Sequence, residues 1–328
     1  MPDAAERVRL GRTELRVTRL GLGTAPLGGL YEPVSEEAAR AVVDRAWASG
    51  LRFFDTAPLY GHGLAERRLG AALQSRPRGE IVLATKVGRL LRRDAAADPD
   101  QQIFADAPRL NPVFDFGEEG ALTSLRESLE RLGLERADVV HLHDPDDHHD
   151  QALAGAYRAL ERLRSEGRIA AVGAGMNQAG MLARFAREAR FDCFLLAGRF
   201  TLLDQSGLDE LLPLCAELGV AVVAGGVFNS GILADPRHGA RYNYRPAPPA
   251  LVERARGLSA VCERHGVPLA AAAIQFPLRH PAVAAVVVGA RSGAELEEDV
   301  RMFEWDVPEA LWADLRARHL VRDPAGAA

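Results

Sequence analysis

The feature that most constrains the fold is a repeat of short apolar runs, each followed by an amphipathic stretch of a dozen or more residues. Eight such runs occur, at residues 19–27, 52–57, 81–87, 138–143, 169–175, 193–198, 220–226 and 283–290. An apolar run followed by a helical pattern is typical of a βα unit in a parallel sheet. Eight units in 328 residues, with no Pro-, Gly- or Ser-rich linker between them, predict one α/β domain, a (β/α)8 TIM barrel, rather than a doubly wound sheet.

Local signals refine this prediction. Residues 8–17 precede the first run and are typical of a small hairpin outside the barrel. The first helix is expected to begin after Ser35, which suits an N-cap, and to stop at Gly50. Residues 88–120 and 228–249 exceed ordinary βα loop lengths, so we expect these two long loops to line a site at the C-terminal face of the barrel.

Composition excludes several classes of partner. The net charge of -5 and pI near 6.0 provide no basic field for nucleic acid. No apolar run approaches the roughly 18 residues that span a bilayer, and residues 1–17 are too charged for a signal peptide. Cys193, Cys215 and Cys262 lie far apart in apolar text, which predicts reduced core thiols in a cytoplasmic protein. A small molecule is the expected partner, and no signal indicates the oligomeric state.

Four polar residues fall where barrel strands should end: Asp55 and Tyr60 after the second strand, Lys86 in the third and His143 at the end of the fourth. Active sites of such barrels lie at this face. We expect the Lys86 ammonium to lower the pKa of the Tyr60 phenol, and Asp55 to fix the ammonium. His143 would then bind the substrate oxygen while Tyr60 transfers a proton. This chemistry requires no metal.

Each of these residues has an alternative structural interpretation as a turn cap, a loop aromatic, an exposed lysine or a strand terminus. The combination favours a site, because a buried ammonium such as that of Lys86 is costly without a partner. Residues 21–26, "GLGTAP", imitate a dinucleotide fingerprint but lack its third glycine and its helix. His141 and His143 share a strand face and leave a metal-dependent hydrolase as a second, less favoured interpretation.

Four segments resemble successive signatures of the aldo-keto reductase superfamily. They are "GLRFFDTAPLYGHGLAERRLGAAL", "ATKVGR", "SLRESLERLGLERADVVHLHDPD" and "GARSGAELEEDV", and the similarity runs in order over nearly the whole chain. The resemblance implies a single barrel domain over residues 1–328 and a nicotinamide-dependent oxidoreductase. It also implies that Asp55, Tyr60, Lys86 and His143 form the family's catalytic tetrad.

Within the superfamily, "DTAPLYGHGLAERRLG", "HLHDPD", "VGAGMNQ" and "GGVFNSGIL" are similar to the aldose dehydrogenase branch. That similarity implies NAD(P)-dependent oxidation of the anomeric hydroxyl of an aldose of the L-fucose, L-galactose or D-arabinose type, which yields a lactone. Two alternatives remain open. One is oxidation of the pyridoxal hemiacetal, and the other is a regulatory subunit that binds a nicotinamide nucleotide with little turnover.

The resemblance also implies which residues contact NAD or NADP: Thr24, Ala25, Asp55, Met176, Asn177, Phe228, Asn229, Ser230, Gly231, Gly289, Ala290, Arg291, Glu295, Glu298 and Asp299. The family's amide glutamine falls at Ala197 and its stacking tyrosine near Gly225, so the nicotinamide must be held differently here. Glu295 falls where NADP-preferring members often carry an arginine. A carboxylate there would repel a 2'-phosphate, so we expect a preference for NAD. Arg291, four residues earlier, could still pair with a phosphate, which leaves open the use of both nucleotides, with Glu295 only a first-turn acid favoured by the helix dipole.

Overall fold

In a computed structural model, which describes residues 1–93, 103–237 and 239–324, eight parallel strands close into a barrel with helices outside it. The strands are β1 (Leu20–Gly23), β2 (Phe53–Asp55), β3 (Val82–Val87), β4 (Val139–His143), β5 (Ala171–Met176), β6 (Cys193–Ala197), β7 (Ala221–Gly225) and β8 (Val283–Val288). Each falls within or across one of the eight predicted runs. The (β/α)8 fold is therefore confirmed.

The strands are paired in chain order, and β8 closes the barrel against β1. In this register Lys86 on β3 lies opposite His141 on β4, and His143 lies opposite Gly175 on β5. Asp55 is the last residue of β2. The C-terminal ends of β2, β3 and β4 therefore place Asp55, Lys86 and His143 on one side of the barrel mouth.

The predicted N-terminal hairpin is present, with Arg7–Arg9 paired antiparallel to Arg16–Thr18. Leu10 and Val17 of this hairpin are fully buried against the side chains that fill the barrel, among them Phe53 and Val139. The hairpin therefore closes the N-terminal end of the barrel and leaves only the opposite end open. All three cysteines are buried and unpaired, as predicted.

The helices are α1 (Glu36–Ala48), α2 (Leu64–Leu73), α3 (Glu118–Leu132), α4 (Arg158–Ser165), α5 (Ala179–Glu188), α6 (Leu211–Leu218), α7 (Pro249–Arg264), α8 (Leu269–Gln275), α9 (Gly293–Phe303) and α10 (Glu309–Ala317). The Ser35 side chain accepts the Ala38 N–H at 3.1 Å, and Gly50 beyond the helix has φ +79°. Both predicted limits of the first helix are thus those of α1. Across the described ranges, no helix is long and apolar enough to cross a membrane.

Two elements lie outside the simple βα repeat. Arg89–Arg93 pairs antiparallel with Leu110–Phe114, so both ends of the long loop after β3 form a hairpin. Before α4 the chain runs through a helical turn and a π-helical stretch, Ala152–Tyr157. The Ala156 N–H donates to the Phe116 carbonyl at 2.8 Å instead of continuing the α-helical pattern. This bond accounts for the π-helical stretch.

A buried ion pair ties the strand that carries Lys86 to two helices. Glu66 on α2 is fully buried and accepts hydrogen bonds from Thr85 on β3 at 3.1 Å and from Arg131 on α3 at 2.6 Å. A buried carboxylate is tolerated only when its charge is compensated. Glu66 therefore fixes the residue next to Lys86 relative to the surrounding helices.

Candidate active site

The structure brings together three of the four predicted catalytic residues by direct hydrogen bonds. The Lys86 ammonium donates to Asp55 Oδ2 at 2.7 Å, to the Thr56 carbonyl at 2.9 Å and to Tyr60 Oη at 3.1 Å. Lys86 is 1% exposed and Asp55 2%. The ammonium thus uses all three of its donors on fixed acceptors, one of which is the phenol.

The loop that carries Tyr60 is positioned by a close approach of two backbones. Residues Ala25–Gly28 form a 3-10 turn after β1, and Gly28 packs directly against Gly61. A side chain at either glycine would collide with the backbone of the other. Gly61 also has φ +57°, which favours glycine. The Tyr60 ring then packs between Phe104, at 6.3 Å, and His143, at 5.9 Å between ring centroids.

The electrostatics of the cluster differ from the expectation in one respect. Burial by itself lowers the pKa of Lys86, but the Asp55 carboxylate and the Tyr60 hydroxyl outweigh burial and raise this pKa, so the ammonium stays charged. Burial raises the pKa of Tyr60, and the opposing charge of Lys86 does not cancel that rise. The expected effect of Lys86 is present, since its charge and its hydrogen bond lower the pKa of Tyr60, but burial raises this pKa by more and the net shift is upward. Tyr60 is a neutral phenol at neutral pH.

His143 is also neutral. Burial lowers its pKa well below the ordinary value, and the positive charges of Lys86 and Arg89 lower it further. His141, one layer deeper in the barrel, has its pKa lowered to about 3 by burial and by Lys86. A neutral imidazole at the position of His143 keeps one N–H to donate to a substrate oxygen. Within the described ranges, no group of three or more His, Cys, Asp or Glu residues is arranged to hold a metal ion.

A cavity of about 1000 Å³ runs from Tyr60 to the entrance of α9. Its wall includes most of the predicted nucleotide residues: Ala25, Asp55, Asn177, Phe228, Asn229, Ser230, Gly231, Gly289, Arg291, Glu295, Glu298 and Asp299. Thr24, Met176 and Ala290 are buried and do not reach the cavity surface. The cavity thus connects the proposed catalytic end with the predicted adenosine end in one continuous space.

The residues present fit a nicotinamide nucleotide in three ways. The volume is that of a large ligand site. Gly23, Gly225 and Gly226 line the cavity without side chains, which leaves room for a flat ring. Asp55 Oδ1 is buried and has no hydrogen-bond donor among the described residues, although Asp55 lines the cavity. Such an orphaned acceptor suits a ligand hydroxyl.

The nicotinamide end of the cavity lacks the glutamine side chain that the family pattern places at Ala197, and this absence has structural consequences. The Asn177 amide donates to the carbonyl of Ala197, the position that lacks the family's glutamine side chain, at 2.8 Å. Asn229 is 3% exposed and bonds within the protein, accepting from Thr201 at 2.6 Å and donating to the Gly198 carbonyl at 3.3 Å. Asn177 is therefore better placed than Asn229 to offer a side-chain amide to a ligand.

At the other end of the cavity, charged side chains neutralise one another. The Arg291 guanidinium pairs with Glu32 at 2.6 Å and with Glu295 at 3.2 Å, and Glu295 also accepts the Arg291 backbone N–H at 2.8 Å. Burial raises the pKa of Asp299 to about 8, and the charges of Glu295 and Glu298 contribute to the rise. Arg291 is therefore compensated by two carboxylates before any phosphate arrives.

Sequence reasoning missed two features of the mouth. Tyr31 and Tyr244 lie 6.5 Å apart between ring centroids, and the Arg241 guanidinium covers Tyr31 at 4.8 Å. No sequence pattern links these three positions. The second feature was visible in the sequence, because Lys86 is the only lysine among the 40 basic residues and all others are arginines.

A closed parallel barrel with a buried ammonium, a phenol and an imidazole at its mouth defines a class of oxidoreductases that act on CH–OH groups. The model of the aldo/keto reductase family matches residues 19–318, and the chain belongs to this family. It is 45% identical to D-threo-aldose 1-dehydrogenase of a Pseudomonas species, with 94% of this chain and 96% of the relative covered. It is 43% identical to pyridoxal 4-dehydrogenase of Microbacterium luteolum, with 97% and 98% covered.

A solved structure has the same fold. The holo form of an aldo-keto reductase from Bacillus halodurans superposes with a TM-score of 0.75 at 25% identity and covers 97% of both chains. Family membership predicts use of a nicotinamide cofactor, consistent with the cavity beside Tyr60.

Proposed function

We propose that the protein oxidises the anomeric hydroxyl of an aldose, of the L-fucose, L-galactose or D-arabinose type, to a lactone with NAD or NADP. The observation that carries this proposal is the hydrogen-bonded cluster of Asp55, Lys86 and Tyr60 at the end of a dinucleotide-sized cavity. The similarity to a D-threo-aldose 1-dehydrogenase supports the choice of substrate.

In the proposed reaction Tyr60 removes the proton of the anomeric hydroxyl. A nicotinamide nucleotide bound in the cavity would accept the hydride from the anomeric carbon. Lys86 holds Tyr60 Oη in place and stabilises the charge that the oxygen carries before it takes the proton. Asp55 keeps Lys86 charged, and neutral His143 donates a hydrogen bond to the substrate oxygen. The remaining predicted contacts with the nucleotide are Asn177 at the nicotinamide and the entrance of α9 at the adenosine.

The raised pKa of Tyr60 sets the pH dependence of this proposal. Oxidation requires the phenolate, so its rate should increase with pH above neutrality, whereas reduction requires the phenol and should be favoured at lower pH. An aldose at neutral pH is mostly cyclic hemiacetal, so oxidation is the expected direction. NMR of the product in early turnover should show a lactone, and an alditol as main product would contradict the assignment.

Oxidation of pyridoxal is a second candidate, favoured by the 43% identity to a pyridoxal 4-dehydrogenase. A regulatory subunit with little turnover is less favoured, because the intact cluster around Lys86 has no use in simple binding. The test is a screen of NAD and NADP reduction with L-fucose, L-galactose, D-arabinose, D-galactose and pyridoxal. Turnover of pyridoxal alone would replace the sugar proposal, and no turnover with any of them would favour the regulatory role.

We also propose that NAD is preferred to NADP. Arg291 is the cation placed to meet a 2'-phosphate, but Glu32 and Glu295 already pair with it. Glu295→Arg removes one carboxylate and adds a cation, so kcat/KM for NADP relative to NAD should rise roughly tenfold or more, about 1.4 kcal/mol.

The matched control is Glu297→Arg, the same change in charge on the same helix. Glu297 pairs with Arg45 at 3.4 Å on the outer surface and does not line the cavity. Two results would refute a role of Glu295 in selecting the nucleotide. One is a wild type that prefers NADP, and the other is an equal change in the ratio of kcat/KM for NADP and NAD in both variants.

A further inference from the structure

An ion pair beside the proposed catalytic residues has no role in the mechanism described above. Arg89 follows β3 after one glycine, and Asp144 follows His143 directly. The Arg89 guanidinium donates to Asp144 Oδ2 at 2.7 Å. Because β3 and β4 are neighbours in the barrel, the pair lies at the mouth on the side of His143.

Both partners are held in place by their surroundings. The Arg89 guanidinium lies over the Phe114 ring at 4.2 Å, a stable cation–π geometry. Asp144 has φ +47°, in the left-handed region that costs energy for residues other than glycine, and its N–H donates to the Gly175 carbonyl at 3.0 Å. Backbone strain at a strand end is characteristic of functional sites, because it re-aims a side chain.

The carboxylate lies beside the imidazole that is proposed to bind the substrate oxygen. Asp144 Oδ2 lies 3.6 Å from His143 Nε2. The Asp144 side chain is 31% exposed, and its Oδ1 receives no hydrogen bond from the described residues.

An arginine–carboxylate pair matches the chemistry of a sugar ring. Each sugar hydroxyl is both a donor and an acceptor, so Asp144 Oδ1 can accept its proton while Arg89 donates to its oxygen. Hydrogen bonds to charged groups are stronger than those between neutral groups. A substrate without that hydroxyl would lose both charge-assisted hydrogen bonds, so the pair discriminates against it.

We propose that the Arg89–Asp144 pair is a specificity element that binds a ring hydroxyl of the aldose, away from the reacting anomeric carbon. This inference rests on the proposed sugar dehydrogenase function and names the part of the substrate that the site recognises.

The test combines a substitution in the protein with a deletion in the substrate. Asp144→Asn keeps the size of the side chain and an oxygen for Arg89 but loses the charge. With the best aldose, kcat/KM should fall at least tenfold, mostly through KM. With the mono-deoxy analogue that lacks the bound hydroxyl, wild type should already be slow, and the substitution should change kcat/KM less than twofold.

The matched control is Asp146→Asn, two residues along the same loop. Asp146 accepts from Gln178 at 2.8 Å, and we expect no change for any substrate. If Asp144→Asn does not fold, as judged by thermal melting and nucleotide binding, Arg89→Gln provides the same comparison.

The outcomes separate this inference from the proposed function. An equal loss with the aldose and all its deoxy analogues would show that Asp144 only orients His143, and would overturn the inference. An unchanged KM for the aldose would overturn it as well. In both cases aldose oxidation itself would stand. A wild type that oxidises no aldose would refute the proposed function and, with it, the hydroxyl-binding role.

Discussion

Replacement of Tyr60 by phenylalanine removes the phenol hydroxyl and keeps the aromatic ring. The ring keeps its contacts with Phe104 and His143, and Lys86 keeps its two shorter hydrogen bonds, to Asp55 at 2.7 Å and to the Thr56 carbonyl at 2.9 Å. Only the bond at 3.1 Å is lost. The stability cost should therefore be about 2 kcal/mol or less.

The effect on catalysis should be much larger than the effect on stability. A lost general acid or base typically costs 10²- to 10⁴-fold in rate, which corresponds to about 3 to 5 kcal/mol of activation free energy. We therefore expect kcat of aldose oxidation to fall at least about 100-fold in Tyr60→Phe. Nucleotide affinity, measured by titration of intrinsic fluorescence, should change less than about threefold, because the phenol lies at one end of the cavity.

The matched control is Tyr157→Phe, which removes the same atom from a phenol remote from the mouth. Tyr157 Oη donates toward Glu161 and the Arg190 carbonyl, both at 3.2 Å, and accepts the Arg190 backbone N–H at 3.1 Å. This control should lose at least as much stability as Tyr60→Phe and keep its kcat. The proposed mechanism would be refuted if Tyr60→Phe retained more than a tenth of the wild-type kcat while binding nucleotide normally.

Four further substitutions test other parts of the structure. Lys86→Met should lower the free energy of unfolding by about 3–5 kcal/mol, because it leaves a buried carboxylate unpaired. The increase of the oxidation rate with pH should also shift to higher pH, because Tyr60 loses the ammonium that lowers its pKa. An unchanged pH profile would exclude this effect of Lys86 on Tyr60. The pKa of Asp299 is raised to about 8, so this carboxyl keeps its proton in the folded chain up to that pH. In the unfolded chain an aspartate loses its proton near pH 4. The contribution of Asp299 to the free energy of unfolding should therefore decrease as the pH rises from 4 to 8. The melting temperature of Asp299→Asn relative to wild type should therefore rise from pH 4 to pH 8 and then level off, and a constant difference would contradict this assignment. Gly70→Ala should destabilise the protein in thermal unfolding, because the added Cβ would collide with the Leu132 backbone. At Gly257 an added Cβ would have no atom within 4 Å, so Gly257→Ala should stabilise α7 by about 0.5–1 kcal/mol. Equal effects of the two substitutions would refute the packing argument.

The barrel was predictable because its strands are buried on both faces. Such strands are continuous apolar runs, and the runs at 81–87 and 283–290 match β3 and β8 to within two residues. The π-helical stretch Ala152–Tyr157 was not predictable, since it depends on a bond from Ala156 to a carbonyl 40 residues away. Sequence periodicity records local spacing and contains no information on such contacts.

The candidate site divides in the same way. Asp55, Tyr60, Lys86 and His143 could be identified because each stands at the end of a strand, a position that the barrel topology brings together. The lowering of the Tyr60 pKa by Lys86 was predictable, but the larger rise caused by burial was not, because it depends on all the surrounding atoms. The Arg89–Asp144 pair was missed since the two residues are 55 positions apart and each reads as a charged loop residue.

Because the sequence has a single lysine, the reaction of its side chain with amine-selective reagents can be followed at one known position. Lys86, 1% exposed, is the one lysine in the sequence. An amine-selective acylating reagent followed by digestion and mass spectrometry would therefore follow the modification of one lysine side chain. The rate of this acylation would report how often Lys86 becomes both exposed and deprotonated, and its suppression by nucleotide would report occupancy without any turnover.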